Sequence, residues 1–149
     1  MIFTRLLDAP RELVWQMWSD VRHLNAWWGP TGFTTTTHEF TFAPGGEWRH
    51  IMHGPNGVDY PNRVVFREID PPSKLVYENR WDLPDAPLDF EVEVTLVEEA
   101  ADMTNLSIHM TFADETAFQT AVERYGVIDG GTQTLDRIAD YLHTTNKSS

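Results

Sequence analysis

A strict alternation of apolar and polar side chains runs through Leu88-Asp89-Phe90-Glu91-Val92-Glu93-Val94-Thr95-Leu96. The same pattern recurs in the next segment, where Leu106, Ile108, Met110 and Phe112 alternate with Asn105, Ser107, His109 and Thr111. A period of two predicts β-strands that bury one face and expose the other. Because only a short polar segment separates these two runs, we expect them to pair as antiparallel neighbours.

Residues typical of turns divide the chain between Phe33 and Phe112 into about six consecutive strands. The breaks are Pro44-Gly45-Gly46, Gly54-Pro55-Asn56-Gly57, Asp70-Pro71-Pro72-Ser73, Leu83-Pro84-Asp85-Ala86-Pro87 and Glu98 to Asp102. Connections this short favour antiparallel pairing, since a parallel crossover needs a dozen or more residues. The Pro-Gly-Gly break is followed by a strand and not by a helix, so it is typical of a hairpin turn and not of a phosphate-binding loop.

Helical signals precede the run of strands. Residues 2–8 predict a first strand, and Ala9-Pro10 then opens a helix, because proline is preorganised for the first helical position. Ser19-Asp20 can cap a second short helix, which Gly29-Pro30 ends.

The helical period returns after the last strand, from Asp114 to Arg124 and from about Asp129 to His143. One strand, two short helices, six strands and a long terminal helix predict an α+β fold. In this fold a curved antiparallel sheet of about seven strands wraps around the C-terminal helix. We expect residues 1–149 to form a single domain, with residues 144–149 as a flexible tail.

Small residues before the last helix leave two alternatives open. Gly126, Gly130 and Thr134 recur at every fourth position, so in a helix they would form a small-residue stripe that leaves room over the sheet. Alternatively, Gly126 ends one helix and Gly130-Gly131 form the turn before the next.

Composition and charge narrow the class of protein. The 149 residues are 41% hydrophobic and 12% aromatic, which is typical of a soluble globular domain. Eleven Lys and Arg against 23 Asp and Glu give a net charge of −12, which disfavours binding to nucleic acid and to anionic membranes. The absence of cysteine excludes disulfides and thiolate metal sites. No leader pattern or long apolar run is present, so we expect a cytoplasmic protein.

Several motifs, taken together and in order, resemble the family related to the C-terminal domain of the activator of Hsp90 ATPase. The segments that carry the resemblance are Asp8 to Trp15, Trp27 to Phe33, Pro44 to Arg49, Met52 to Gly57, Glu68 to Tyr77 and Leu135 to Leu142. The resemblance implies the helix-grip fold shared with START lipid-transfer domains, polyketide cyclases and the birch-pollen allergen (Bet v 1-like).

The superfamily hosts transport, binding and catalysis, so the function has to be argued from the site. Many relatives carry a Gly-Trp pair before the last helix, whereas here Gly126 is followed by Val127, and any ligand role of that tryptophan does not transfer. The eukaryotic co-chaperone has a separate N-terminal domain that this sequence does not show. A co-chaperone-like module acting on Hsp90 is therefore an alternative and not the main hypothesis.

The inward face of the sheet supplies the candidate site. Strand alternation places aromatic residues with a few polar groups on this face, which is typical of a small-molecule site. We expect an internal cavity that binds a small hydrophobic or aromatic molecule without a cofactor. Its predicted lining is Trp28, Trp48, His50, Met52, Tyr60, Asn62, Tyr77, Asn79, Trp81, Phe90, Gly130 and Thr134. The alternative is an ordinary core filled by these side chains.

Other functions have weaker signals. His50 is the one histidine expected inside, so a cyclase or hydratase-like enzyme would use it as its acid or base. No nucleophile motif accompanies it. His38 with Glu39, and His109 near Glu91 or Glu93, could supply metal ligands, but the alternation places His109 on the exposed face, so we predict no metal. Of the paired Trp27 and Trp28, one ring is expected to pack inward and the other to lie at the cavity mouth. If exposed, the pair would favour a homodimer.

Overall fold

The computed structural model describes residues 1–82, 88–112, 114–125 and 127–148. Its elements are β1 (Ile2–Leu7), α1 (Arg11–Ser19), α2 (Val21–Trp27), β2 (Thr34–Phe40), β3 (Glu47–His53), β4 (Asp59–Asp70), β5 (Lys74–Trp81), β6 (Leu88–Ala100), β7 (Met103–Phe112), α3 (Glu115–Tyr125) and α4 (Val127–Ser148). The described strands form a seven-stranded antiparallel sheet in the order β1-β7-β6-β5-β4-β3-β2. This architecture confirms the predicted helix-grip fold, with two short helices after the first strand and a long last helix.

The two short helices begin at residues that satisfy their free amides. Pro10, predicted as the first helical residue, is instead the N-cap, and α1 begins one residue later, at Arg11. The Pro10 carbonyl accepts hydrogen bonds from the amides of Leu13 and Val14. Asp20 caps α2 as predicted, since its carboxylate accepts from the Arg22 amide at 2.9 Å. Its hydrogen bond with the Arg22 side chain also lowers the pKa of Asp20 to about 2.

The two faces of the sheet differ as the alternation predicts. On β6, Val92, Val94 and Leu96 point inward and are buried, whereas Glu91 lies exposed on the convex face. Ion pairs such as Arg67–Glu78 and Arg49–Asp82 cross the convex face between strands. Charged side chains are therefore kept on the outer surface, and the inner surface is left to apolar and neutral polar groups.

The last helix covers the inner surface through its buried residues Leu135, Ile138 and Leu142. Gly130 and Gly131 lie within α4, so the predicted alternative of a turn at these glycines is wrong. The backbone of residues 144–148, expected as a tail, continues the same helix. Gly126 lies outside the described residues. Among the described residues, no helix is long and apolar enough to cross a membrane.

A close contact fixes how α4 lies over the first strand. A Cβ atom built on Gly131 would lie only 2.4 Å from the Cζ atom of Phe3 on β1, well inside contact distance. Arg5, two residues further along β1, forms an ion pair with Asp136 of α4. Glycine at position 131 therefore allows the Phe3 ring to pack directly against the helix backbone.

We expect Gly131→Ala to lower the free energy of unfolding by about 1–3 kcal/mol through overpacking against Phe3. Helix propensity alone would give the opposite sign, a gain of about 1 kcal/mol. Chemical denaturation measures the change, and the double variant Phe3→Leu with Gly131→Ala should recover much of the loss. A stabilised Gly131→Ala single variant would contradict the contact.

Candidate functional site

The inner face of strands β3 to β5 gathers most of the predicted lining. Trp48, His50, Asn62, Tyr77 and Asn79 are buried, and each is less than 9% exposed. Half-buried side chains surround them, namely Trp28, Met52, Tyr60, Trp81, Phe90 and, on α4, Thr134. Gly130 lies on α4, but the surroundings of this residue are outside what the structure describes.

His50 lies on β3, at one side of this face, and has two polar atoms without partners. The residue is 1% exposed, and neither Nδ1 nor Nε2 makes a hydrogen bond. Its ring stacks on Trp48, with ring centroids 3.9 Å apart and an interplanar angle of 25°. Among the described side chains with unpartnered buried atoms, His50 alone has two.

Burial decides the charge of His50. Loss of solvation lowers the pKa of this imidazole to about 4, because the charged ring is poorly stabilised in the interior. The Trp48 backbone and the Asp82 carboxylate act in the opposite direction but are outweighed, and neither provides a partner with hydrogen-bond geometry for a ring nitrogen. His50 is therefore neutral at pH 7, with one N–H donor and one free acceptor.

A short hydrogen-bond chain orients the Trp48 ring on which His50 stacks. The indole Nε1 of Trp48 donates to Thr37 Oγ1 at 3.0 Å, and this hydroxyl donates to Asn25 Oδ1 at 2.7 Å. The chain connects α2, β2 and β3. Neither Thr37 nor Asn25 belongs to the predicted lining, although strand register places Thr37 directly opposite His50.

Trp28 closes one side of the site. Its ring lies 4.7 Å from Trp48, 5.9 Å from His50 and 6.4 Å from Tyr77, measured between centroids. The neighbouring Trp27 is 1% exposed, so the two tryptophans do not form the exposed pair that would favour a dimer. Trp28 thus packs against Trp48, His50 and Tyr77 on one side of the site.

Arg137 of α4 holds Trp28 in this position. The two N–H groups of Nη1 are shared among the carbonyls of Trp28, Gly29 and Pro30, each at 3.0 Å, and Nη2 donates to that of Ala26 at 3.3 Å. These carbonyls lie at and just after the C-terminus of α2, where a cation is favoured. Sequence spacing alone gave no sign of this role, because the contact joins residues more than 100 positions apart.

Two asparagine side chains, Asn62 on β4 and Asn79 on β5, supply polar groups next to His50 on the inner face. Asn62 lies directly opposite His50 on β4 and pairs with Trp81 on β5. The Asn79 amide donates to Asn62 Oδ1 at 3.3 Å, and the Asn62 amide donates to the Tyr60 carbonyl at 2.9 Å. Unlike His50, these amides therefore have partners.

Aromatic rings continue the wall toward α3. Tyr60 and Trp81 lie 6.4 Å apart, and Phe90 lies 5.5 Å from Phe112, which in turn contacts Phe118 of α3. Tyr60, Trp81 and Phe90 are only half-buried, in contrast to Trp48 and Tyr77. The face therefore has a closed end, where Trp28 packs on Trp48 and Tyr77, and a less buried aromatic end formed by Tyr60, Trp81 and Phe90.

The Tyr77 hydroxyl belongs to the closed end. Burial raises the pKa of this phenol, so that it stays protonated. No described residue forms a hydrogen bond with this hydroxyl. Tyr77 therefore adds a neutral polar group and no charge to the site.

A separate cleft of about 160 Å³ lies between the end of β1 and α4. Its lining is Leu6, Leu7, Asp8, Ala139, Leu142 and His143. This volume is below the roughly 300–1,000 Å³ of typical ligand sites. None of the predicted lining residues contributes to it.

The convex face carries a second polar cluster. His53 accepts or donates at both nitrogens, with Asp59 Oδ1 2.7 Å from Nδ1 and Thr36 Oγ1 2.9 Å from Nε2. A hydroxyl, an imidazole and a carboxylate in this order resemble a catalytic triad. However, the side chains of His53 and Asp59 are 36% and 57% exposed on an open surface. We interpret the cluster as a cross-strand hydrogen-bond chain. No group of three potential metal ligands occurs among the described residues.

Fold and site together define a helix-grip protein with an aromatic inner face around one buried histidine. The model of the family described as Activator of Hsp90 ATPase homolog 1-like protein matches residues 8–143, and the chain belongs to this family. No functionally curated protein matches the sequence.

Solved structures agree on the fold. A crystal structure of a Mycobacterium smegmatis protein has a TM-score of 0.86 at 26% identity, over 97% of this chain and 90% of that one. A solution structure of an Arthrobacter aurescens protein has a TM-score of 0.88 at 25% identity, over 96% and 85%. A Silicibacter pomeroyi AHSA1 protein shares the fold at 21% identity, with a TM-score of 0.72 over 97% and 98%.

We expect His50→Phe to raise the free energy of unfolding of the ligand-free protein by about 1–2 kcal/mol. The phenyl ring keeps the stack on Trp48 and removes two polar atoms whose burial is uncompensated. Denaturant titration measures the change, with Ile51→Phe on the opposite face as a control. A loss of stability of similar size would show that His50 has partners in solution.

We also expect His50 to contribute to acid sensitivity. Its pKa is about 4 in the folded chain against 6.5 in an unfolded one, so acid favours the unfolded state. The stability present above pH 6.5 should decrease as the pH falls toward 4, by about 2 kcal/mol at pH 5. Denaturant titrations at pH 7 and pH 5 should show this decrease in the free energy of unfolding for the wild type, whereas His50→Phe should lack the contribution of His50. Equal losses in both proteins would refute the assignment.

Proposed function

We propose that this protein binds a small aromatic or hydrophobic molecule between the inner face of the sheet and α4. The observation that carries the proposal is His50, whose two ring nitrogens are buried and without partners. A buried polar atom without a hydrogen bond costs about 1–3 kcal/mol, so a ligand that supplies a partner recovers this energy.

The surroundings of His50 support an apolar ligand. Trp48 and Trp28 flank the imidazole, and Asn62 and Trp81 continue the same row of the sheet. Aromatic walls with few polar groups are typical of small-molecule sites, in which apolar burial supplies affinity and polar groups fix orientation. We expect such a molecule to enter past Tyr60, Trp81 and Phe90, because these side chains are half-buried whereas Trp48 and Tyr77 are buried.

Acid–base catalysis by His50 has less support. A group with a pKa of about 4 has almost no protonated form at pH 7 and is a weak base. In the site as described, the imidazole acts best as a neutral hydrogen-bonding group.

We expect Trp81→Ala to weaken binding of the uncharged fluorescent probe N-phenyl-1-naphthylamine by at least tenfold, because the variant removes part of the aromatic wall. The probe's fluorescence increase on titration measures affinity. Arg80→Ala, on the opposite face of the same strand, is the matched control and should bind as the wild type does. Absence of saturable binding to the wild type, together with no compound copurifying in native mass spectrometry, would overturn the proposed function.

A further inference from the structure

The inner face of the proposed site has few charged groups. The inward residues of β3 to β5 are aromatic, aliphatic or neutral amides apart from His50, which burial keeps uncharged. Arg137 is the cation that reaches the edge of the site from α4. It already donates to four backbone carbonyls there.

We propose that the site selects an uncharged aromatic molecule that carries a hydroxyl group, of the phenol or naphthol type, and discriminates against the corresponding carboxylate. This inference rests on the proposed function and names its ligand class. A hydroxyl both donates and accepts, so it can pair with either nitrogen of a neutral imidazole. An aromatic ring attached to it can extend past Asn62 toward Trp81, since these two residues continue the same row of the sheet.

A carboxylate has no such partner. Buried charge is stable only when it is paired, and among the described inward side chains His50 alone could become a cation. Protonating a group with a pKa of about 4 at pH 7 costs a factor of about 1,000 in affinity. The alternative, uptake of the proton by the ligand carboxyl, has a similar cost because its own pKa is about 4.

The groups that act on His50 do not remove this cost. His38 on β2 disfavours the protonated ring, and Asp82 after β5 favours it, but their combined effect leaves the pKa far below neutral. Trp28 beside α2, Asn62 on β4 and Tyr77 on β5 are uncharged at neutral pH. The net charge of −12 further disfavours the approach of an anion.

The test uses 2-naphthol and 2-naphthoate, which share a ring system and differ in the polar group. Calorimetric titration at pH 7.5 should give saturable binding of 2-naphthol and at least tenfold weaker binding of 2-naphthoate. Between pH 7.5 and 5.5 the affinity for 2-naphthol should stay constant, because neither partner titrates there. The affinity for 2-naphthoate should rise about tenfold per pH unit, because its binding takes up one proton.

Variants of His50 test the assigned contact. His50→Phe should weaken 2-naphthol binding at least fivefold, whereas His50→Gln, which keeps a donor and an acceptor, should bind within about threefold of the wild type. Ile51→Phe on the opposite face is the control for an added ring. Since the ligand comparison uses the wild type alone, it holds even if a variant fails to fold.

The outcomes separate the two proposals. Equal or tighter binding of 2-naphthoate at pH 7.5 would overturn the inference about charge and leave a binding function in place. Unchanged 2-naphthol affinity in His50→Phe would overturn the role of His50. Failure of both naphthalene ligands and of the uncharged fluorescent probe to bind would overturn the proposed function, and this inference with it.

Discussion

The guanidinium of Arg137 joins the two ends of the architecture. By donating to backbone carbonyls at the end of α2 and in the turn that follows, it fixes the last helix against a segment from the first quarter of the chain. Burial lowers the pKa of this guanidinium, yet the C-terminal carbonyls of α2 compensate its charge. With α2 fixed, the Trp28 ring packs against Trp48. The imidazole of His50 stacks on Trp48, so its position depends on the same contact.

The same arrangement explains why a polar group is left unsatisfied in the core. Trp48 cannot turn to offer its indole N–H to His50, because Thr37 already accepts from it. Asn62 lies opposite His50, but its amide and carbonyl are engaged by Tyr60 and Asn79. Trp48 and Asn62 thus have other partners, and the unpartnered imidazole lowers the stability of the ligand-free protein.

Much of this fold could be read from local patterns, because a period of two and short turns leave few topologies open. The alternation from Leu88 to Leu96 and the breaks between strands predicted the sheet and which face is buried, His50 included. Spacing could not predict Arg137, since its partners are backbone carbonyls more than 100 positions away. It also left Gly131 undecided between turn and helix, because only the tertiary contact with Phe3 explains a glycine inside α4. The predicted contribution of Gly130 to the lining stays a prediction.

The hydrogen bonds from Arg137 to the end of α2 also affect how the chain folds as it is synthesised. Until the ribosome has released α4, the aromatic inner surface has no cover, and the end of α2 lacks the side chain that fixes it. The emerging polypeptide therefore exposes Trp48, Tyr77 and Phe66, which are buried in the folded chain, until α4 can pack against the sheet. Closure of the domain therefore has to wait until the segment that carries Arg137 has been made.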